Sequence, residues 1–310
     1  MTAASLRVAY GETLVELGRA DTRIVALEAD LGKSTMSCLF EKEFPDRYFE
    51  MGIAEANMVS TAAGLALAGK VPFLSSFAVF ASGRAYDQIR QTVSIGKLNV
   101  NICGSSAGLS DFGDGSTHQA VEDVAIMRAI PGMTVLVPAD ANEVRKMVRA
   151  AAKINGPVYI RICRNELPVL TPEGGEYCVG SFRTVREGKD TALFANGVML
   201  GIALEAAETL EDRGISVKVI NAGTVKPMLP LAVAEAAGSC KTVAVAEEHS
   251  VIGGLGSAVA ECLKGSKRMA FIGIEDEFGT CAENYREILN AYGLTAERIV
   301  EAVKGLTCIS

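Results

Sequence analysis

The feature that most restricts this chain is an alternation. Short runs of β-branched and apolar residues recur at IVALEAD (24–30), VPFLSSF (71–77), NVNICGSS (99–106), TVLVPAD (134–140) and VYIRIC (158–163). Between them lie longer amphipathic stretches, near 5–18, 55–68, 81–95, 121–130 and 140–154, with helical spacing. Short, evenly apolar runs suit strands covered on both faces, so the rhythm predicts a parallel sheet between layers of helices. It stops in NELPVLTPEGGEYCVGSFRTVREGKD (165–190), where Pro, Gly and charge replace periodicity and a linker is expected. Then it restarts, with strands at TALFANG (191–197), VKVINAG (217–223), TVAVAEE (242–248) and MAFIGI (269–274). Helices are expected near 197–213, 229–238, 255–264 and 282–305. The fold class predicted is α/β, two doubly wound domains, divided as 1–178 and 179–310.

Composition narrows the function. A chain of 310 residues can bury two cores without metals or disulfides. Its net charge of −7 argues against nucleic acid or an anionic membrane as partner, although a local basic cluster could still hold a phosphate. The eight cysteines are scattered in apolar runs such as VNICGSS, with no CxxC pair, which suits reduced thiols rather than a disulfide framework or a zinc site. The N-terminal MTAASLRVAYGETLVELG lacks the basic and apolar regions of a signal peptide, and no apolar run approaches the roughly 20 residues of a membrane span. A cytoplasmic protein is expected.

Two glycine-rich stretches invite misreading. EEHSVIGGLGSAVAE (247–261) lacks the GxGxxG spacing of a dinucleotide site and reads as a tight strand-to-helix turn. Gly113-Asp114-Gly115 followed by Asn142 has the spacing of a diphosphate-and-metal signature. That signature requires GDG at a strand end and Asn just past the next strand, where both side chains can reach a hard cation. Here GDG follows the polar AGLSDF, and Asn142 opens a helix. The match reads as accidental, so a metal-bound diphosphate would have to be held by another chain.

Several residues carry chemical interest beside a plainer reading. Glu55, in FEMGIAEANMVSTAAGLALAG, opens an otherwise small and apolar helix; it either favours the helix dipole or sits buried with a raised pKa, sharing a proton with a ligand. Phe77 and Phe80 could flank a flat heterocycle or simply pack in the core. Arg84 and Asp87 are spaced to pair along one helical turn. His118, in the loop DFGDGSTHQ with Asp114, lies where α/β sites assemble and could carry protons. Arg161 and Arg164, in RICRNELP, could grip a phosphate or balance local acids.

Taken together, MGIAEANM, SSFAVFASGRAYDQ, RNELP and above all DGSTHQAVEDVAIMRAIPGMTVLVPADANE resemble the C-terminal half of the transketolase family, across essentially the whole chain. The resemblance implies a pyrimidine-binding domain followed by the family's C-terminal domain. It also implies thiamine diphosphate as cofactor, with Mg²⁺ and the diphosphate held by a separate N-terminal subunit in an α2β2 assembly containing a homodimer of this chain. Glu55 would bond the aminopyrimidine, Phe77 and Phe80 would pack on it, and Asp30 in LEADLGKS would be an interface acid near the cofactor. Asp114 and His118 would orient donor hydroxyls, with His118 relaying protons, and Ser34 and Arg164 would hold a sugar phosphate. The implied reaction moves a two-carbon ketol unit from a ketose phosphate to an aldose.

The sequence also departs from that pattern. Gly83 stands where a pyrimidine-side tyrosine is expected, Ser106 where many members carry a phosphate-binding histidine, and Arg7 matches an expected arginine only across a gap. A 2-oxoacid dehydrogenase β-type subunit, a deoxyxylulose-phosphate-synthase-like subunit and a non-catalytic scaffold remain as alternatives. The C-terminal domain, His249 included, is expected to serve assembly.

Overall fold

A computed structural model describes residues 2–307. These form two α/β units, each built on a mainly parallel sheet. In the first half the strands are β1 (Ala3–Ser5), β2 (Ile24–Glu28), β3 (Tyr48–Glu50), β4 (Val71–Phe77), β5 (Asn101–Ser105), β6 (Thr134–Leu136), β7 (Val158–Arg161) and β8 (Glu166–Pro168). The second half supplies β9 (Arg183–Arg186), β10 (Thr191–Ala195), β11 (Val217–Asn221), β12 (Thr224–Lys226), β13 (Thr242–Ser250) and β14 (Arg268–Ile274).

The larger sheet runs β12-β6-β7-β5-β4-β2-β3 and the smaller β14-β13-β10-β11-β9. All pairs are parallel except β12 on β6 and β9 on β11. The strands β2, β4, β5 and β10 are buried at every position, which explains why they show no alternation of apolar and exposed polar residues. The chain leaves β2 for β3 on one side and returns to β4 on the other, so a topological switch lies between β2 and β4. Crevices outside the carboxyl ends of strands at such points are where ligands bind in this architecture.

Local chemistry sets the helix starts near that switch. Ser5 caps helix Leu6–Ala20 by accepting from the Val8 N–H at 3.3 Å. Gly11 on the same helix must lack a side chain, because a Cβ there would stand 2.4 Å from the Met36 carbonyl oxygen. Its absence lets the loop after β2 lie against the first helix. Asp140 caps helix Ala141–Ala151 through the Glu143 N–H and also binds the backbone and hydroxyl of Thr171.

Some expectations need correction. The stretch 165–190 is not a bare linker: Ala3 pairs with Pro168 as β8 lies antiparallel to β1, and β9 edges the second sheet. The helix expected over 282–305 is two, Tyr285–Ala291 and Ala296–Thr307, with Gly293 at φ +66° between them. The helical segment 80–94 contains π-helical turns. Neither β3 nor β12 was foreseen, and β12 joins the sheet of the other half. A continuous apolar core follows that crossing: Met127, Val135 and Val137 belong to one cluster with Phe194, Val225 and Leu255. Among the described residues no helix is long and apolar enough to cross a membrane.

Candidate active site

At the carboxyl edge of the larger sheet, loops from five strands converge. Asp30 and Ser34 follow β2, Glu55 follows β3, Phe77 ends β4 with Phe80 just beyond it, the loop 106–118 follows β5, and Arg164 follows β7. A cleft of about 670 Å³ lies at the opposite, amino edge, lined by Ile24, Val71, Asn99 and Ile154, away from these groups.

Glu55 is the first residue of helix Glu55–Leu67, and its side chain is only 1% exposed. Both carboxylate oxygens accept from Arg84 Nη1, at 2.9 and 3.0 Å. Arg84 therefore does not serve the local pairing with Asp87; it reaches across to Glu55, while its guanidinium carbon lies 4.6 Å from the centroid of the Phe80 ring. Phe77 and Phe80 lie nearly parallel, 11° apart with centroids at 6.1 Å. His118 meets both rings edge-on, at 6.2 and 5.4 Å, and its Nδ1 shares a hydrogen bond with Thr117 Oγ1 at 2.9 Å.

A second group adjoins the first through Arg164, whose guanidinium carbon is 5.6 Å from the Phe77 centroid. Arg164 Nη1 donates to Asp111 Oδ2 at 3.0 Å and to Ser106 Oγ at 3.4 Å. Arg7 donates from Nε to the Arg164 carbonyl at 3.0 Å and from Nη1 to the Ser34 carbonyl at 2.6 Å. Burial and the neighbouring Arg164 lower the Arg7 pKa from its ordinary value. Burial pushes the Asp111 carboxyl up; Arg164 opposes the rise, and the neighbouring acid Asp114 adds to it.

Asp30 stands apart. It is exposed, at φ +61°, and its N–H donates to Glu50 Oε1 at 2.9 Å, as does that of Gly52. Glu50 thus ties the loop after β2 to the loop that leads into Glu55. Beneath it Glu28, buried at the end of β2, accepts from Thr35 Oγ1, Ser37 Oγ and the Ala29 N–H at 2.7, 2.6 and 3.0 Å. Burial pushes its carboxyl up to about 7 against those bonds.

The two arginines of RICRNELP divide. Arg161 is buried and donates from Nε to both Asp123 oxygens, at 3.1 and 3.0 Å, and from Nη2 to the Ala120 and Glu248 carbonyls. Arg164 alone faces the site. The second half of the chain also fixes the loop 107–121. Glu248 Oε1 accepts from the Leu109 N–H at 2.8 Å, which is open to it only because residue 108 is glycine, at φ +63°. The Ala282 N–H donates to the Phe112 carbonyl at 2.9 Å, Gln119 Nε2 to that of Thr280 at 2.9 Å, and the Ser250 N–H to that of Val121 at 2.7 Å.

The glycine-rich turn holds no such opening. Glu247 accepts from the Leu255 and Gly256 N–H groups at 2.6 and 2.8 Å, filling the helix N-terminus with the protein's own carboxylate. His249 is buried in the same turn, between the Ser250 carbonyl and the Ala125 N–H. Asn142 spends its amide on the Thr171 carbonyl. Reading the sequence missed Asp111, Glu248 and the role of Arg84. Asp111 stood in view within SDFGDG, but its partner Arg164 is 53 residues away.

The arrangement fits the pyrimidine half of thiamine diphosphate. Arg84 already shows that a planar group with N–H donors can stack on Phe80 and bond Glu55 at once. Among the described residues no cluster of three His, Cys, Asp or Glu could hold a metal ion.

Comparison with known proteins agrees with the geometry. Residues 2–169 match the transketolase pyrimidine binding domain and residues 180–299 the transketolase C-terminal domain. A protein of Methanocaldococcus jannaschii named as a transketolase C-terminal section is 41% identical over 96% of this chain and 95% of its own length. A 6-deoxy-6-sulfo-D-fructose transketolase subunit of a Clostridium species is 42% identical over 97% and 94%. Human transketolase is 37% identical over 97% of this chain, which spans only 48% of that enzyme. A solved structure described as a split gene transketolase, inactive β4 tetramer, superposes with a TM-score of 0.90 at 44% identity over 99% of both chains.

Proposed function

This chain belongs to the transketolase family, a thiamine diphosphate-dependent family, and on that premise we propose that it is the pyrimidine-side subunit of a two-chain enzyme. A partner chain carries the diphosphate and its Mg²⁺, and the pair transfers a two-carbon ketol unit from a ketose to an aldose. The observation that carries this reading is a buried carboxylate, Glu55, joined through Arg84 to the near-parallel rings of Phe77 and Phe80. Full-length coverage of a split-gene relative described as an inactive β4 tetramer supports the division of labour.

The cofactor, when bound, supplies a nucleophilic carbon and an electron sink for carbon–carbon cleavage. The residues here do the rest. Glu55 would accept a hydrogen bond from the cofactor's ring in place of Arg84, in a setting where low dielectric strengthens the bond. Phe77 and Phe80 would hold the ring between or against them. His118, at the edge of both rings, is placed to hold a donor hydroxyl and move its proton, with Asp114 on the same loop. Asp30 and the loop it shares with Ser34 line the side that faces the partner. In an α2β2 assembly working in the cytoplasm, two copies of this chain would contact each other.

Calorimetric titration with thiamine diphosphate and Mg²⁺ tests the proposal. Binding is expected only when the partner chain is present, because the anionic tail otherwise lacks its cation. Tight binding or ketol transfer by this chain alone would end it.

A further inference from the structure

The second group of the site has a charge balance that bears on the substrate. Arg164 lies beside Phe77 and Arg7 bonds the Arg164 carbonyl, so two cationic side chains meet at this edge of the site. One of the two charges is already cancelled. Asp111 is 4% exposed and holds Arg164 at 3.0 Å, and Asp114 is a second acid acting on the first. Ser106, fully buried, contributes a hydroxyl to Arg164 and no charge.

We propose that this pocket selects a sugar whose far end carries a single negative charge, a terminal sulfonate, over one ending in a phosphate dianion. The inference rests on the ketol-transfer reading above. A phosphate ester near neutral pH would set two negative charges against a buried carboxylate that solvent screens poorly, with only one arginine unneutralised. A carbon-bound sulfonate presents the same three tetrahedral oxygens with one charge, so it meets less repulsion from Asp111 and Asp114. The tetrahedral geometry is kept and the excess repulsion is removed.

The test compares two ketoses that differ only in a terminal sulfonate or phosphate, using the reconstituted two-chain enzyme. Wild type is expected to favour the sulfonate by about tenfold or more in kcat/KM. Asp111→Asn, which keeps the shape and removes the charge, should raise kcat/KM for the phosphate about tenfold, mainly through KM. A wild-type preference for phosphate, or a ratio unmoved by D111N, overturns the inference. Hydroxypyruvate, which yields the two-carbon unit with loss of CO2 and has no far end, is run beside them with wild type. If it is not consumed, the ketol-transfer reading fails; if it is consumed and the ratio goes against sulfonate, only the specificity inference fails. Calorimetry on the full chain with methanesulfonate and with inorganic phosphate needs neither turnover nor the variant. Methanesulfonate should bind more tightly, and the reverse order overturns the inference.

Discussion

Glu55 and Glu247 occupy comparable places in the two halves of the molecule. Each is a buried acid beside the start of a helix that follows a strand of a parallel sheet. Glu247 spends both oxygens on the backbone N–H groups of its helix, which cannot leave. Glu55 spends both on Arg84, a side chain that is 50% exposed and free to swing away. The same contrast holds more widely. In the second half Glu248 and His249 are consumed in packing against the first, while in the first half Arg164, Asp111, Asp114 and His118 meet at an open edge. One architecture thus serves two ends, and what separates them is whether the polar groups at the carboxyl edge are satisfied by rigid or by displaceable partners.

The largest effect expected from breaking this contrast is on chemistry. Glu55→Ala in the two-chain complex should cut ketol transfer by about 10²–10⁴-fold while leaving assembly intact by analytical ultracentrifugation. Turnover within a factor of ten of wild type would remove Glu55 from the mechanism. Next comes the joint between the halves. Arg161→Met strands Asp123 as an uncompensated buried charge beside Tyr159, whose hydroxyl donates to it at 2.7 Å. A loss of about 3–5 kcal/mol is expected in urea unfolding. Glu247→Ala should cost about 1–2 kcal/mol by the same measurement, since it orphans two helix N–H groups, yet leave kcat per folded enzyme unchanged. A kcat defect there would blur the distinction between the two glutamates.

The smallest effect is a pH dependence. Glu28, Glu143 and Glu248 are all buried, and burial pushes each carboxyl up to about 7 from an unfolded value of 4.5. Between these values the folded state binds more protons than the unfolded chain. Their contribution to stability is therefore full below the unfolded value and falls as pH rises through about 7. Glu28→Gln can keep its two hydroxyl partners by rotation, so it should flatten the decline in urea-unfolding free energy between pH 5 and pH 7, by an amount on the order of 1 kcal/mol. An unchanged slope would mean that Glu28 stays ionised throughout.

How much of this was legible before the structure depends on range. Buried parallel strands announce themselves locally, so β2, β4, β5, β7, β10, β11 and β13 stood near their expected places. The candidate site residues were picked out because loops after such strands are where chemistry collects. What failed was long-range pairing. Arg84 had a plausible local partner in Asp87, and only the fold reveals that Glu55, 29 residues back, is closer. Arg161 and Arg164 look alike in the sequence, and only strand geometry turns one inward to Asp123 and leaves the other at the edge. The stretch 165–190 looked structureless because its order comes from partners elsewhere: Ala3–Ser5 for β8, Asp140 for Thr171 and β11 for β9.

The crossing of β12 carries a practical consequence. Thr224–Lys226 completes the edge of the larger sheet beside Thr134–Leu136, so severing the polypeptide near residue 179 would leave that margin bare and prone to aggregate. Chimaeras that exchange the two halves between relatives must graft this tripeptide along with the first half, because the seam that matters for recombination is not where the periodicity of the sequence pauses.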